Sequence, residues 1–180
     1  MTDAVRGLER HIRTVPDFPK PGISFKDITP LIEDGPALHT AVDALAGAAE
    51  GIDYDRILSA EARGFVFGTA LAYRAKKGLI LARKPNKLPR EIISASYDLE
   101  YGTDALEAHA DSIPEGIRVL VADDLLATGG TARAMCQLVE NAGGTVAGVA
   151  FLIELAYLGG RDKLKPYPVV SLLTYHDPQD

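Results

Sequence analysis

The sequence predicts an α/β fold in which a mostly parallel, twisted sheet is flanked by helices on both faces. Short aliphatic runs alternate with longer segments in which apolar residues recur at helical spacing. The aliphatic runs also lack the polar alternation of a strand with one face in water. Such runs are typical of parallel strands covered by helices on both sides. With 180 residues and no linker or repeat, the chain is expected to form a single domain over 1–180.

The amino-terminal region is expected to differ from the rest. Apolar residues at helical spacing predict a helix over the first dozen residues, and three prolines between 16 and 21 then end it and favour an extended segment. A second helix is predicted from Pro36 to about Ala49, with Asp34 near its start.

From residue 56 onward, strands and helices are expected to alternate. The predicted strands are Arg56–Ala60, Leu79–Arg83, Arg118–Ala122, Thr145–Ile153 and Pro168–Tyr175. The predicted helices between them are Gly64–Ala75 and Thr131–Asn141, the second of which is expected to end at Gly143. Because ligands bind outside the carboxyl ends of parallel strands, the segments that follow these strands are expected to form one cleft.

Composition limits the classes of function. The net charge of −6 argues against a nucleic-acid or anionic-membrane partner, and a phosphate ligand would need local cations. The single cysteine, Cys136, rules out an internal disulfide framework and suits a reducing compartment. No apolar run approaches the ~20 residues of a membrane-spanning helix, and the charged N-terminus does not resemble a signal peptide. A cytoplasmic protein is therefore expected.

The most informative segment is Arg118–Thr131, in which a strand leads through two carboxylates into a small-residue loop and a helix. The loop can direct backbone N–H groups and hydroxyls at a phosphate, with the positive end of the helix dipole behind them. Carboxylates repel phosphate but accept hydrogen bonds from ribose hydroxyls. The segment therefore predicts a ribose 5-phosphate site, whose residues would be Asp123, Asp124, Ala127, Thr128, Gly129, Gly130 and Thr131.

Two commoner phosphate motifs are excluded, since the chain has neither a Gly-Lys pair for a Walker loop nor a Gly-x-Gly-x-x-Gly run that opens a helix. The alternative is an ordinary strand-loop-helix turn with acids at the strand end and Thr at the helix cap. The spacing of Thr128-Gly-Gly-Thr131 after the Asp pair favours the phosphate site.

A second candidate group consists of cations after two other strands. Arg83, Lys84 and Lys87 follow one predicted strand, and Arg63 follows the strand before it. An isolated basic cluster is usually a solvated turn. Here the cluster is expected at the same sheet edge as the phosphate loop, where Arg could fork two oxygens of a diphosphate and Lys could act as a point charge.

The run Asp-Asp-Leu-Leu-Ala-Thr-Gly-Gly-Thr at 123–131 resembles the phosphoribosyl-diphosphate (PRPP) signature of the type I phosphoribosyltransferases, in the wording of the adenine-specific members. The resemblance covers roughly 12–175 and implies the type I phosphoribosyltransferase fold, with a small hood at about 1–35 and a flexible lid at about 94–107. It matches Arg63, Lys84 and Lys87 to diphosphate-contacting positions, with Arg83 beside them.

The resemblance also implies where a purine would bind. In the segment 94–103, Glu100 matches the acid/base group near purine N7 and Tyr101 matches a residue that covers the site. The residues alone favour an exposed hairpin with a solvated glutamate, and only the resemblance favours a lid. Adenine would contact Ser24, Phe25 and Lys26 of the hood and Leu155 after a strand, and Lys26 stands where the family usually has arginine.

The implied reaction converts adenine and PRPP to AMP and diphosphate. Mg²⁺ would be the cofactor, held mainly by PRPP and water near the two aspartates rather than by a closed protein cage. The family also implies a homodimer. Two alternatives stay open: a transferase for another purine or orotate, and a PRPP-sensing regulator that does no chemistry.

Overall fold

The computed structural model describes residues 3–98 and 103–179. Its helices are α1 (Asp3–Arg6), α2 (Thr29–Glu33), α3 (Gly35–Ala48), α4 (Gly64–Ala75) and α5 (Gly130–Asn141). Its strands are β1 (Arg13–Pro16), β2 (Ser24–Asp27), β3 (Arg56–Ala60), β4 (Gly78–Ala82), β5 (Ile92–Asp98), β6 (Thr103–His109), β7 (Arg118–Leu126), β8 (Thr145–Leu155) and β9 (Val169–Tyr175).

A five-stranded parallel sheet in the order β4-β3-β7-β8-β9 forms the centre of the fold, as the aliphatic runs predicted. Successive side chains of a strand point to opposite faces, and the sheet therefore has a core on each side. On one side Ile57 and Leu120 pack with α3 and α4, and on the other Leu58 and Val121 pack with α5. The α/β prediction is confirmed.

Strand β7 is longer than predicted, because it continues through the two aspartates to Leu126. Asp123 pairs with Phe151 and Leu125 pairs with Ile153 of β8, which itself runs two residues beyond its predicted end. Asp123 and Asp124 therefore lie near the end of a paired strand rather than in a loop. Hydrogen bonds between β7 and β8 fix the backbone of this segment, whereas the backbone of a free loop would lack such bonds.

Helix α3 begins where the sequence predicted. The Asp34 side chain accepts a hydrogen bond from the Ala37 N–H at 2.8 Å, and proline occupies the first turn. The predicted amino-terminal helix is shorter than expected: it consists of α1 and a separate 3₁₀ turn over Glu9–His11. Helix α2 was not predicted, because five residues show too little periodicity to stand out.

Two antiparallel hairpins lie outside the main sheet. Strands β1 and β2 pair from Arg13↔Asp27 to Pro16↔Ser24, in the region predicted as the hood. Strands β5 and β6 pair from Ile92↔His109 to Asp98↔Thr103, in the region predicted as the lid. The base of this second hairpin buries Leu106 and Ala108 in the core beside α5. Over the described ranges, no helix has the length and apolar character that crossing a membrane would take.

Candidate active site

A cleft of about 360 Å³ opens at the carboxyl ends of β3 and β7. All seven residues predicted for ribose 5-phosphate line it, together with three residues of the segment after β3. The cleft residues are Glu61, Ala62, Arg63, Asp123, Asp124, Leu125, Leu126, Ala127, Thr128, Gly129, Gly130, Thr131 and Ala132. Because α5 begins at Gly130, the N–H groups of its first turn have no partner within the helix and are available to a phosphate in this cleft.

The two aspartates are almost entirely withdrawn from water, at 8% and 6% exposure. An Asp123 oxygen accepts a hydrogen bond from the Asp124 N–H at 2.9 Å, and the Arg63 Nε lies 2.9 Å from an Asp124 oxygen. Burial is the main cause that raises the pKa of Asp123 well above its ordinary value, and the negative charge of Asp124 raises it further. The pair therefore presents to the cleft a negative charge that is partly neutralised by Arg63.

A second, aromatic cavity adjoins the cleft. It is lined by Val15, Phe18, Phe25, Asp27, Thr29 and Arg63. The Phe18 and Phe25 rings meet edge to face with centroids 5.1 Å apart, and the Arg63 guanidinium lies 5.3 Å from the centre of the Phe25 ring. Arg63 borders both cavities and is the residue that joins them. A ligand with a flat apolar part and a sugar phosphate could therefore span the two.

The family model described as "Phosphoribosyl transferase domain" matches residues 31–175, which is well over half of the chain. The chain belongs to the phosphoribosyltransferase family. Among its relatives, a protein of Rubrobacter xylanophilus named adenine phosphoribosyltransferase is 71% identical, and the match covers 97% of this chain and 95% of that protein.

Solved structures agree in fold. The adenine phosphoribosyltransferase of Thermoanaerobacter pseudethanolicus superimposes with a TM-score of 0.93 at 51% identity, over 95% of this chain and 99% of that one. The Saccharomyces cerevisiae enzyme, solved with adenine and an imino-altritol bisphosphate, gives a TM-score of 0.90 at 36% identity, over 96% of this chain and 100% of that one. The type I phosphoribosyltransferase fold expected from the sequence is thus confirmed.

The basic segment of this phosphoribosyltransferase is held at the cleft by a residue that the sequence did not single out. One Glu61 oxygen accepts a hydrogen bond from Arg83 Nη2 at 3.0 Å, and the other accepts one from the Lys84 N–H. The hydrogen bond from the Lys84 N–H is the main cause that lowers the pKa of Glu61, and the Arg83 side chain lowers this pKa further. Burial acts in the opposite direction and raises it. Glu61 therefore fastens the start of the basic segment to the turn after β3.

Lys84 itself makes a further contact with the β5–β6 hairpin, one residue pair from Asp98↔Thr103 and away from the hairpin's base. Its Nζ lies 2.7 Å from Asp104 of β6, which also accepts a hydrogen bond from the Tyr97 hydroxyl at 3.2 Å. The hydrogen bond from Lys84 lowers the pKa of Asp104. Lys87 is exposed, at the outer end of the same segment. Of the four predicted diphosphate contacts, only Arg63 lines the cleft.

The predicted base contacts do not all converge. Phe25 faces the aromatic cavity, but Lys26 points to the opposite side of β2, because neighbouring side chains of a strand alternate. Lys26 is 2% exposed, donates to the Thr14 hydroxyl at 3.0 Å and lies 4.4 Å from the centre of the Tyr175 ring. This placement favours a packing role for Lys26.

The other predicted base contacts are placed differently again. Ser24 lies in the hood hairpin opposite Pro16, and Leu155 is buried at the end of β8 opposite Tyr175. Glu100 and Tyr101 lie outside the described residues, and their predicted roles stay predictions. Sequence reasoning missed the contacts of Glu61 and Asp104 with the basic segment, because each joins residues at least twenty positions apart in the chain.

Proposed function

We propose that this phosphoribosyltransferase acts as one domain over residues 1–180 and converts adenine and PRPP to AMP and diphosphate. The observation that carries the proposal is the shared wall at Arg63, which joins a phosphate cleft to an aromatic cavity. PRPP would fill the first and a purine the second. The relatives named adenine phosphoribosyltransferase support adenine as the purine.

In this proposal the loop over 127–131 binds the 5-phosphate through backbone N–H groups and the hydroxyls of Thr128 and Thr131. Asp123 and Asp124 accept hydrogen bonds from the ribose hydroxyls. The bond between ribose C1 and the diphosphate oxygen breaks, and the diphosphate leaves with the bonding electrons while adenine N9 bonds to C1. Glu100 takes the proton that adenine gives up at N7.

Charge develops in opposite senses during this step, since the ribose ring becomes positive and the leaving diphosphate becomes more negative. The Asp123–Asp124 pair stabilises the ring charge, and cations after β3 and β4 stabilise the leaving group. Arg63 is already at the cleft wall. Arg83, Lys84 and Lys87 act from the neighbouring segment, with Lys84 leaving Asp104 for the diphosphate.

Mg²⁺ fits this site as a ligand-borne cofactor. The described ranges contain no group of three or more His, Cys, Asp or Glu side chains that could hold a metal. Of the carboxylates that line the cleft, Glu61 is bound by Arg83 and by the Lys84 N–H, so Asp123 and Asp124 would face the ion, and PRPP and water would supply the remaining ligands. When bound, Mg²⁺ supplies positive charge to the diphosphate oxygens.

We also propose that the protein forms a homodimer in the cytoplasm. Val66 and Tyr73 lie on one face of α4, two turns apart, and are 37% and 88% exposed, and Leu81 on edge strand β4 is 42% exposed. A second copy would cover these side chains, whereas Tyr73→Glu would favour the monomer in sedimentation measurements. The single cysteine, Cys136, is a buried free thiol, and a chain without a disulfide framework suits a reducing compartment such as the cytoplasm.

The deciding experiment incubates the protein with Mg²⁺, PRPP and one radiolabelled base at a time. The proposal predicts labelled AMP from adenine and far less nucleotide from hypoxanthine, guanine or orotate. Preference for a 6-oxo purine would make the protein a different transferase. No nucleotide from any base, together with measurable PRPP binding, would favour a PRPP-sensing regulator.

A further inference from the structure

The phosphate loop rests directly on a second backbone segment, the turn at Gly159 and Gly160. A Cβ atom added to Gly160 would lie 2.1 Å from the Ala127 carbonyl oxygen and 2.8 Å from the Gly129 nitrogen. A Cβ atom added to Gly129 would lie 2.5 Å from the Gly160 carbonyl oxygen. The two backbones are therefore in van der Waals contact, with no room for a side chain between them.

The residue that follows this turn is tied to the sheet. The Arg161 Nε donates to one Glu154 oxygen at 2.8 Å, and its Nη2 donates to the other. Its Nη1 donates to the Val169 carbonyl oxygen at 3.0 Å, and the Ser171 hydroxyl donates to Glu154 at 2.8 Å. Glu154 is only 4% exposed and sits near the carboxyl end of β8, so the fork joins the turn to both β8 and β9.

The same turn is also anchored on the other side. Leu164, three residues after Arg161, is fully buried in the core cluster that contains Ala132 and Met135 of α5. The segment 160–164 therefore packs against the side of the phosphate loop that faces away from the cleft. Arg161 binds this segment to β8 and β9, and Leu164 packs it against α5. Gly160, Arg161 and Leu164 thus support residues that line the cleft without lining it themselves.

We propose that Gly160 and Arg161 are positioning residues that hold the phosphate loop in its ligand-binding shape. The inference rests on the proposed function, since it takes the loop over 127–131 to be the 5-phosphate site. A loop with two adjacent glycines has many accessible conformations, and ordering it on binding would weaken affinity. The turn behind it restricts those conformations in advance, and the fork between Arg161 and Glu154 keeps the turn in place.

Two variants test this. In Gly160→Ala the new methyl group collides with Ala127 and displaces the loop. The double variant Glu154→Gln/Arg161→Gln removes the fork without leaving a buried unpaired carboxylate. For each we expect the dissociation constant of ribose 5-phosphate, measured by titration calorimetry, to rise at least tenfold, about 1.4 kcal/mol. The KM for PRPP should rise in parallel, and the KM for adenine at saturating PRPP should change less than twofold.

Arg118→Gln is the matched control. Arg118 also forks a carboxylate, that of Asp55 at 3.0 and 2.6 Å, at the amino end of β7 and away from the cleft. The side chains of Arg118 and Arg161 are similarly exposed, whereas that of Asp55 is far more exposed than that of Glu154. This variant should lose stability and keep wild-type affinity for ribose 5-phosphate. A loss of affinity equal to that of the double variant would show a general effect of destabilisation and overturn the inference.

The outcomes also separate the inference from the proposed function. A wild-type protein that binds neither ribose 5-phosphate nor PRPP overturns both. A wild-type protein that binds them, with both test variants binding equally well, overturns the inference alone. The same conclusion follows if the KM for adenine rises as much as the KM for PRPP. If Gly160→Ala does not fold, the double variant decides by the same criteria.

Discussion

Asp123→Asn should make the protein more stable at neutral pH and less active. Burial and the neighbouring charge of Asp124 raise the pKa of Asp123 above its ordinary value of 3.8. The folded state therefore binds a proton at Asp123 more tightly than the unfolded state does. Below pH 3.8 both states are protonated and the carboxyl costs nothing. As the pH rises from there through the raised pKa, the unfolded state ionises first and stability is lost.

The size of the effect follows from the surroundings of the carboxyl. Burying an ion costs several kcal/mol, but here the Asp124 N–H and the nearby Arg63 return part of that cost. Asparagine keeps an oxygen for the Asp124 N–H and removes the charge. We expect a net gain of about 2 kcal/mol at pH 7.5, which is about 4–8 °C in Tm for a chain of this length. Activity should fall at least tenfold, because a charge-assisted bond to the ribose is lost.

The assay compares thermal unfolding of wild type and variant between pH 4 and pH 8, with steady-state turnover at pH 7.5. The difference in Tm should be largest at the high end and close to zero near pH 4. Asp111→Asn is the control, since Asp111 is 62% exposed and paired with Arg90, and it should change Tm and turnover little. If the variant is less stable than wild type at pH 7.5, or if the Tm difference does not depend on pH, ionised Asp123 does not destabilise the folded state as predicted.

Three further predictions concern the walls of the site. Phe25→Ala removes the ring that faces Arg63 in the aromatic cavity, and the KM for adenine should rise about tenfold with little change in the KM for PRPP. Gly64→Ala places a methyl group 2.4 Å from an Asp123 oxygen, so that turnover and Tm should both fall. Asp104→Asn frees Lys84 from its exposed ion pair; diphosphate inhibition should strengthen severalfold, and Tm should fall by only about 1–3 °C.

Each of these three variants has a control in which a similar substitution is made at a residue away from the site. Ile92→Ala removes an apolar side chain that is 37% exposed at the start of β5 and should not alter the KM for adenine. Gly35→Ala adds a methyl group at a helix start with nothing within 4 Å, and turnover should stay at the wild-type value. Asp43→Asn breaks the exposed pair with Arg74, and diphosphate inhibition should be unchanged. Any control that matches its test variant would contradict the corresponding prediction.

The sheet and its helices could be predicted because their signals are local. Aliphatic runs bounded by glycine and acids place β3 and α4 at the observed residues, and the Asp34 cap places the start of α3 within a residue. The full length of β7 could not be predicted, because two aspartates interrupt the aliphatic pattern. They remain in the strand only because β8 supplies pairing partners.

The seven residues predicted for ribose 5-phosphate lie together in one cleft because they belong to a single contiguous segment, and Glu61, Ala62 and Arg63 after β3 complete its lining. The rest of the candidate site depends on contacts between distant segments. Lys26 was expected to share the base site with Phe25, yet the two are consecutive in β2 and point to opposite faces, and only the fold places Tyr175 beside Lys26. Glu61 clamps the basic segment from more than twenty residues away, and no spacing in the chain indicates that contact.

The α/β class, the family and the candidate phosphate loop could all be recognised in short contiguous patterns of residue type. The three-dimensional fold was needed to see that Arg63 joins the cleft to the aromatic cavity, that Lys84 contacts Asp104, and that Gly160 supports the loop from behind. These are distances between segments far apart in the chain. They are set by strand order and close packing, which no local pattern records.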